Sequence, residues 1–275
     1  MRLAQGHTFR TARRTTLALA TAAFIALAQD ALAQRLERPP LDVPYVPTPP
    51  EVVNGMLDMA FVQPNDFVID LGSGDGRIAT AAGKRGARAL GVDIDPKRVQ
   101  EAQENARRAG VQDRVKFIQQ NLFETRISDA TVLTMYLLAK VNLDLRPRIL
   151  QELKPGTRVV SHTFEMGDWK PDAHAEIGHR QIFMWIVPVK VAGRWRVQAE
   201  SQTFELVLQQ EYQYLSGHAH IGSRAVAVRS GWLHGNHIHL ELADGREFAG
   251  HVDGDRMVPI AQDDKKFPWH ATRLS

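Results

Sequence analysis

The chain has no cysteine among its 275 residues. That absence excludes structural disulfides, thiolate catalysis and cysteine-ligated zinc. It assigns no compartment, because exported proteins need not carry disulfides. A basic excess is also missing where it would matter. The formal charge is +3, but residues 1–33 hold Arg2, Arg10, Arg13 and Arg14 against one acid, Asp30. Residues 34–275 are formally neutral, with 30 basic and 30 acidic side chains. This argues against a nucleic-acid partner. The apolar run Leu17–Ala28 is too short to span a bilayer comfortably. No internal repeat is visible. What remains is an ordinary globular composition, enough for one large domain or a medium one with a small companion.

The N-terminus has the three parts of a secretory signal. Four arginines precede the apolar run, and small-residue cleavage sites follow it, Ala26-Leu27-Ala28 and Ala31-Leu32-Ala33. Arg13-Arg14 loosely resembles a twin-arginine signal. The expectation is a signal peptide over residues 1–33, export to a bacterial periplasm, and no membrane span after cleavage. An uncleaved N-terminal anchor and a mitochondrial presequence are the alternatives, since residues 1–29 are Arg-rich and acid-free.

A lead-in over residues 34–50 carries Pro39, Pro40, Pro44, Pro47, Pro49 and Pro50, a density no regular helix tolerates. Helix and strand signals then alternate. Residues 51–60 read as a helix, 67–71 as a strand, 77–84 as a helix and 88–92 as a strand. Residues 96–108 are a helix opened by Asp95 and Pro96 and left through Gly110. Strands at 115–119 and 130–135, a helix at 143–153 and a strand from 158 complete the series. Such alternation predicts an α/β fold with right-handed crossovers on a mainly parallel sheet. Residues 182–191 and 195–197 read as a closing hairpin that ends a domain at about residue 200.

After residue 200 the pattern changes to strands with tight turns, as at Ala243-Asp244-Gly245 and Val252-Asp253-Gly254. Ile238, Leu240 and Leu242 alternate with His237, His239 and Glu241, the mark of a half-buried strand. Residues 201–275 therefore read as a small antiparallel β unit, an open barrel in the simplest case. Its histidine pairs, His218 with His220 and His237 with His239, would each share a strand face. Same-face pairs can bind Zn²⁺ or Cu²⁺, but solvated surface histidines are the plainer reading. No resident metal is expected.

The chemistry concentrates at Val68-Ile69-Asp70-Leu71-Gly72-Ser73-Gly74-Asp75-Gly76-Arg77. A strand delivers the chain to a turn that opens a helix, and its glycines let backbone pass close to a ligand. A dinucleotide site would want Gly-x-Gly-x-x-Gly and a pyrophosphate at the helix start. Here position 77 is Arg, and Asp70 and Asp75 would repel a pyrophosphate but suit an ammonium. Asp93, at the end of the next strand, can accept from two ribose hydroxyls, and Ile94 can cover an adenine face. S-adenosyl-L-methionine (SAM), with a carboxylate, an amine and a sulfonium but no phosphate, fits these residues.

The loop and strand-end acid resemble the class I SAM-dependent methyltransferases over roughly residues 45–200, which implies a Rossmann-like core and methylation activity. Tyr45-Val46-Pro47-Thr48-Pro49, the loop itself, and residues 130–138 are more closely similar to the ATP synthase c-subunit lysine methyltransferase family and its bacterial relatives. That resemblance implies that Tyr45, Thr48 and Pro49 close the pocket over Asp70, Gly72, Ser73, Gly74, Asp75 and Gly76. It also implies that Asn121, beside Leu122, holds the adenine amino group where the family usually has Asp. The methyl acceptor would be a protein lysine. The alternative is a non-catalytic SAM-binding or envelope-interaction protein.

The fourth strand is followed by Thr134-Met135-Tyr136-Leu137 in place of the Asn/Asp-Pro-Pro-aromatic loop of many amine-directed methyltransferases. DNA-base and glutamine methylation are thereby disfavoured. Tyr136 sits where the moving methyl should lie, either to orient an amine or to wall the pocket. His162 and Glu165 are candidate proton acceptors at the end of the fifth strand. The plainer reading of His162 is a hydrogen-bonded strand-end residue.

Overall fold

A computed structural model describes residues 45–260 and 269–274. The signal expected over residues 1–33 and most of the Pro-rich lead-in lie outside the described residues. Among the described residues no helix is long and apolar enough to cross a membrane.

Helix α1 (Pro50–Met59) starts on its own proline, whose missing N–H costs nothing at a first-turn position. Strand β1 (Phe67–Leu71) leads to α2 (Arg77–Lys84), then β2 (Arg88–Asp93), α3 (Pro96–Arg108) and β3 (Val115–Gln119). The Asp95 carboxylate accepts from Lys97 N–H at 2.9 Å and caps α3. Strand β4 (Val132–Met135), α4 (Ala139–Glu152) and β5 (Arg158–His162) follow. The sheet closes with β6 (Ala173–Ile177) and β7 (Arg180–Ile186), giving the order β3-β2-β1-β4-β5-β7-β6. Strands β1 to β5 are mutually parallel, and β7 runs antiparallel to β5 and β6.

The pleat sorts the strand residues between two cores. Val68, Val132 and Val160 face α1, α2 and α3, where Val52, Met56, Ile78, Ala82 and Ala102 are buried. Ile69, Leu71, Leu133, Met135 and Val159 face α4, whose Val141, Leu145 and Ile149 are buried against them. Asp70 and Thr134 share the α1–α3 side of their strands by the same period of two.

The remaining strands are β8 (Gly193–Ala199), β9 (Gln202–Glu211), β10 (Tyr214–Ile221), β11 (Arg224–His234), β12 (His237–Leu242), β13 (Glu247–Asp253), β14 (Arg256–Pro259) and β15 (Trp269–Arg273). They form a closed barrel in the order β10-β11-β12-β13-β14-β15-β8-β9. Trp195, Phe204, Leu206, Leu240, Phe248 and Met257 fill its interior. Closure removes the free edges that an open barrel would leave.

Three expectations are corrected here. The barrel is closed rather than open. Residues 193–199 do not pair with β7; they are β8, held by β9 and β15 inside the barrel. The closing hairpin of the sheet is instead β6–β7. Helix α4 also begins at Ala139, not at Leu143, because Leu138 turns into it without a side-chain cap to mark the start.

The barrel joins the sheet at the end opposite the strand C-termini. In the β5–β7 register His162 pairs with Ile182 and Arg158 with Ile186, so the chain leaves the sheet at the strands' N-terminal end. There Val189 N–H donates to Gly235 O at 2.8 Å. The Tyr212 ring stacks on Trp169, 6.0 Å between centroids, and Gln213 donates to Lys170 O at 2.8 Å. Tyr136 and His162 lie at the other end of the sheet, after β4 and at the end of β5.

Candidate active site

The glycine loop is fastened to the end of β2. The N–H groups of Gly72 and Ser73 both donate to Val92 O at 2.9 Å. Gly72 and Gly74 take φ of +73° and +52°, the left-handed region where a side chain is strained. A Cβ at Gly74 would lie 2.5 Å from Cε2 of Tyr45. The Tyr45 ring therefore rests on bare backbone, and the Arg98 guanidinium covers it at 3.8 Å.

Three carboxylates surround this loop, each in a different state. Asp70 is 2% exposed. Its Oδ1 accepts from the Thr134 hydroxyl at 2.7 Å, and its Oδ2 is buried without a partner. Burial pushes its carboxyl up to about 7, against the Thr134 hydrogen bond, with Asp93 and Asp75 adding repulsion. Asp93 accepts from Gly74 N–H at 2.8 Å and from Asp95 N–H at 2.9 Å, so it braces the loop and the entry to α3. Burial raises Asp75, but the Arg77 guanidinium, 2.6 Å away, holds it below the usual carboxylate range.

Arg77 also donates to Thr48 O at 2.8 Å, which ties the lead-in to the loop. The Thr48 hydroxyl lies 3.1 Å from Nδ1 of His162. Pro49 O receives the first helical bonds of α1, from Val52 and Val53. Residues 45–49 thus cross from Gly74 to the end of β5 as a strap. His162 is fully buried, and burial, with Arg180 adding repulsion, pushes its imidazole down to about 4. Its ring lies 3.9 Å from the Tyr136 ring, tilted by 35°. Its Nε2 is buried without a partner.

Tyr45, Thr48, Pro49, Asp70, Gly72, Ser73, Gly74, Asp75, Gly76, Asp93, Tyr136 and His162 are therefore arranged around the C-terminal ends of β1, β2, β4 and β5. Ile94 and Leu122 are half-buried beside them. Asn121 spends its carbonyl on Phe123 N–H at 3.0 Å, capping a 3-10 turn over Leu122–Glu124. One lone pair of that oxygen remains for a ligand. Glu165 is exposed, and no hydrogen bond joins it to the strap, Tyr136 or His162. His162 is a hydrogen-bonded strand-end residue, and its partner is Thr48.

Sequence reasoning missed four contributors. Thr134 faces Asp70 across the β1–β4 register, a signal available once both strands were placed. Arg77 was read only as a departure from the dinucleotide spacing, and Arg98 only as a helix residue. Asn142, fully buried on α4, donates to Ser161 Oγ at 3.1 Å and Phe164 O at 3.0 Å, and so steadies the end of β5.

These residues fit SAM. An unpartnered carboxylate oxygen on Asp70 awaits a donor. The Gly72–Gly74 backbone offers a cradle free of side chains, and Asp93 keeps acceptor capacity on both oxygens. The comparisons agree. The family profile of the ANTKMT methyltransferase domain matches residues 70–173. A protein-lysine N-methyltransferase of Saccharolobus islandicus is 51% identical over 131 residues, 47% of this chain and 81% of that protein. The chain belongs to this family of SAM-dependent methyltransferases. The mouse adenine nucleotide translocase lysine N-methyltransferase is 34% identical over 148 residues, 54% of this chain and 64% of its own length. A crystal structure of an RNA methyltransferase from Salinibacter ruber, in complex with S-adenosyl-L-homocysteine, is 49% identical with a TM-score of 0.52. It covers 53% of this chain and 96% of that one.

In this methyltransferase Asp70 and the loop would hold the amino-acid end of SAM, and Asp93 the ribose. Tyr45 and Thr48 belong to the strap above them. The matched region ends at Ala173, the first residue of β6, so the family profile runs from the end of β1 through β5 and reaches neither β7 nor the barrel.

Proposed function

We propose that this methyltransferase methylates the side-chain amine of a protein lysine. The observation that carries the proposal is the Tyr136 ring packed against a buried, neutral His162 that the strap residue Thr48 holds. Bound SAM supplies an electrophilic methyl on a sulfonium, so the reaction needs an in-line nucleophile and little acid chemistry. Tyr136 stands at the end of β4, beside the mouth, where it can orient an incoming amine. Leu137 is buried next to it, and this apolar wall favours the uncharged amine over the ammonium. His162 stays neutral at physiological pH, so it adds no charge to repel a cationic side chain. It positions Tyr136.

The Saccharolobus and mouse relatives are lysine N-methyltransferases by name, which supports a lysine acceptor. The Salinibacter relative's name points to RNA instead. Against that reading, residues 34–275 are formally neutral and lack a net basic excess. The purified protein, incubated with methyl-labelled SAM and a cell-envelope extract or total RNA, decides between them. Label in protein, lost in Asp93→Ala, supports the proposal. Label in RNA alone overturns it.

The proposal includes the setting. Residues 1–33 are read as a cleaved export signal, residues 51–200 as the catalytic part, and residues 201–275 as the greater part of an accessory barrel. The support is the tripartite N-terminal sequence. N-terminal sequencing of the protein recovered from cells tests it, and a retained Met1 contradicts cleavage.

A further inference from the structure

We propose that His218 and His220 form a surface binding site for a divalent transition-metal ion, Cu²⁺ or Ni²⁺, on the outer wall of the barrel. The two residues are separated by Ala219, which points into the barrel and is fully buried. The strand period of two therefore sends both imidazoles outward on the same face. Their Nε2 atoms lie 2.9 Å apart, with the rings 4.5 Å between centroids and at 89° to each other. This spacing is that of a hydrogen bond between the two ring nitrogens.

The same spacing is that of two neighbouring ligands on one ion. With metal–nitrogen bonds of about 2.0–2.1 Å, two nitrogens 2.9 Å apart subtend about 90° at the metal. A tetrahedral site, at about 109°, would hold them about 3.3 Å apart. The arrangement thus matches adjacent corners of a tetragonal or octahedral sphere, the geometry of Cu²⁺ and Ni²⁺ rather than of structural zinc. Chelation by a strand that is already rigid costs little reorganisation, because β10 is hydrogen-bonded along both sides to β9 and β11.

Among the described residues no group of three or more histidines and acids is placed to hold a metal. Two imidazoles are the protein's share, and water completes the sphere. Glu205 lies directly opposite His220 on β9. Arg194 donates to both its oxygens at 2.8 Å and holds them beside the pair as a neighbouring charge. The other same-face pair, His237 and His239, is arranged differently. The His239 ring stacks on Trp232 at 5.3 Å and 26°, and no contact joins it to His237. It serves as the internal control.

The test is a Cu²⁺ titration of the full chain followed by electron paramagnetic resonance. The expected result is one tetragonal centre with two imidazole nitrogens. His218→Ala and His220→Ala each weaken it by at least about tenfold, the scale at which even outer ligands matter. His237→Ala leaves it unchanged. SAM binding is the folding control: it is unaffected in the two exposed-histidine variants, whose side chains lie on the barrel and not at the mouth. A centre that survives His218→Ala, that disappears in His237→Ala, or that never forms in the wild-type chain overturns the proposal.

Discussion

The hydroxyl of Thr48 lies 3.1 Å from Nδ1 of His162, 114 positions away in the chain, and both side chains are buried. This one contact joins the strap before α1 to the end of β5. It gives the imidazole beside Tyr136 a fixed orientation. Thr48→Ala would leave both His162 nitrogens without a protein partner. The expected result is a loss of roughly tenfold in kcat/KM, about 1.4 kcal/mol, in the range of one buried hydrogen bond. Thr48→Ser, which keeps the hydroxyl, should recover most of it. Steady-state kinetics of the two variants provide the check.

Asp93 is expected to be the strongest single determinant of cofactor affinity. It braces Gly74 and Asp95, and in the proposed site it would present acceptors to the ribose. Asp93→Ala should weaken SAM binding by about 100-fold, near 3 kcal/mol, by calorimetric titration. A change below threefold would remove Asp93 from the site.

Asp70 has a pH signature. Its carboxyl is raised from 3.8 to about 7 by burial. Between those values the folded state keeps a proton that the unfolded chain has released, so stability falls as pH rises through that window. Asp70→Asn removes this penalty. The variant should melt no higher than wild type near pH 4 and be more stable by roughly 1–3 kcal/mol above pH 7. It should also bind SAM poorly, because the amide cannot offer a charge to an ammonium. For the wild type, a cationic ligand favours the ionised carboxyl, so SAM affinity should rise between pH 6 and pH 8.

His162 works in the opposite sense. Its imidazole is lowered from 6.5 to about 4 by burial. The unfolded chain takes up a proton at a higher pH than the folded state does. Stability is therefore fully present above about pH 6.5 and is lost as pH falls toward 4. His162→Gln should flatten that acid limb in a series of melts between pH 4 and pH 7. Above pH 7 the catalytic rate of the wild type should show no step from His162.

Much of the sheet was legible because its signals are local. Asp95 and Pro96 mark the start of α3, and both its ends were read correctly at Pro96 and Arg108. The loop from Asp70 to Arg77 carries its own turn chemistry. Strand β8 shows where locality ends. Trp195 and Val197 alternate with Arg194 and Arg196, so a strand was readable, but its partner was assigned by proximity to β7. Its true neighbours are β9 and β15, and Arg196 pairs with Thr272 at the far end of the chain. Pairing of that kind is decided by barrel closure, which no short window contains. The site divides in the same way. The glycines and Asp93 could be named from spacing, whereas the Thr48–His162 and Arg77–Thr48 contacts exist only after folding.

The central claim is transfer of a methyl group from SAM to a protein lysine. Its most direct test is total hydrolysis of a protein acceptor after incubation with methyl-labelled SAM and this enzyme. The account predicts label in methylated lysine, absent with Asp93→Ala and reduced with Tyr136→Ala. Label recovered only in another amino acid or in a nucleoside, or equal labelling by Asp93→Ala, would contradict it.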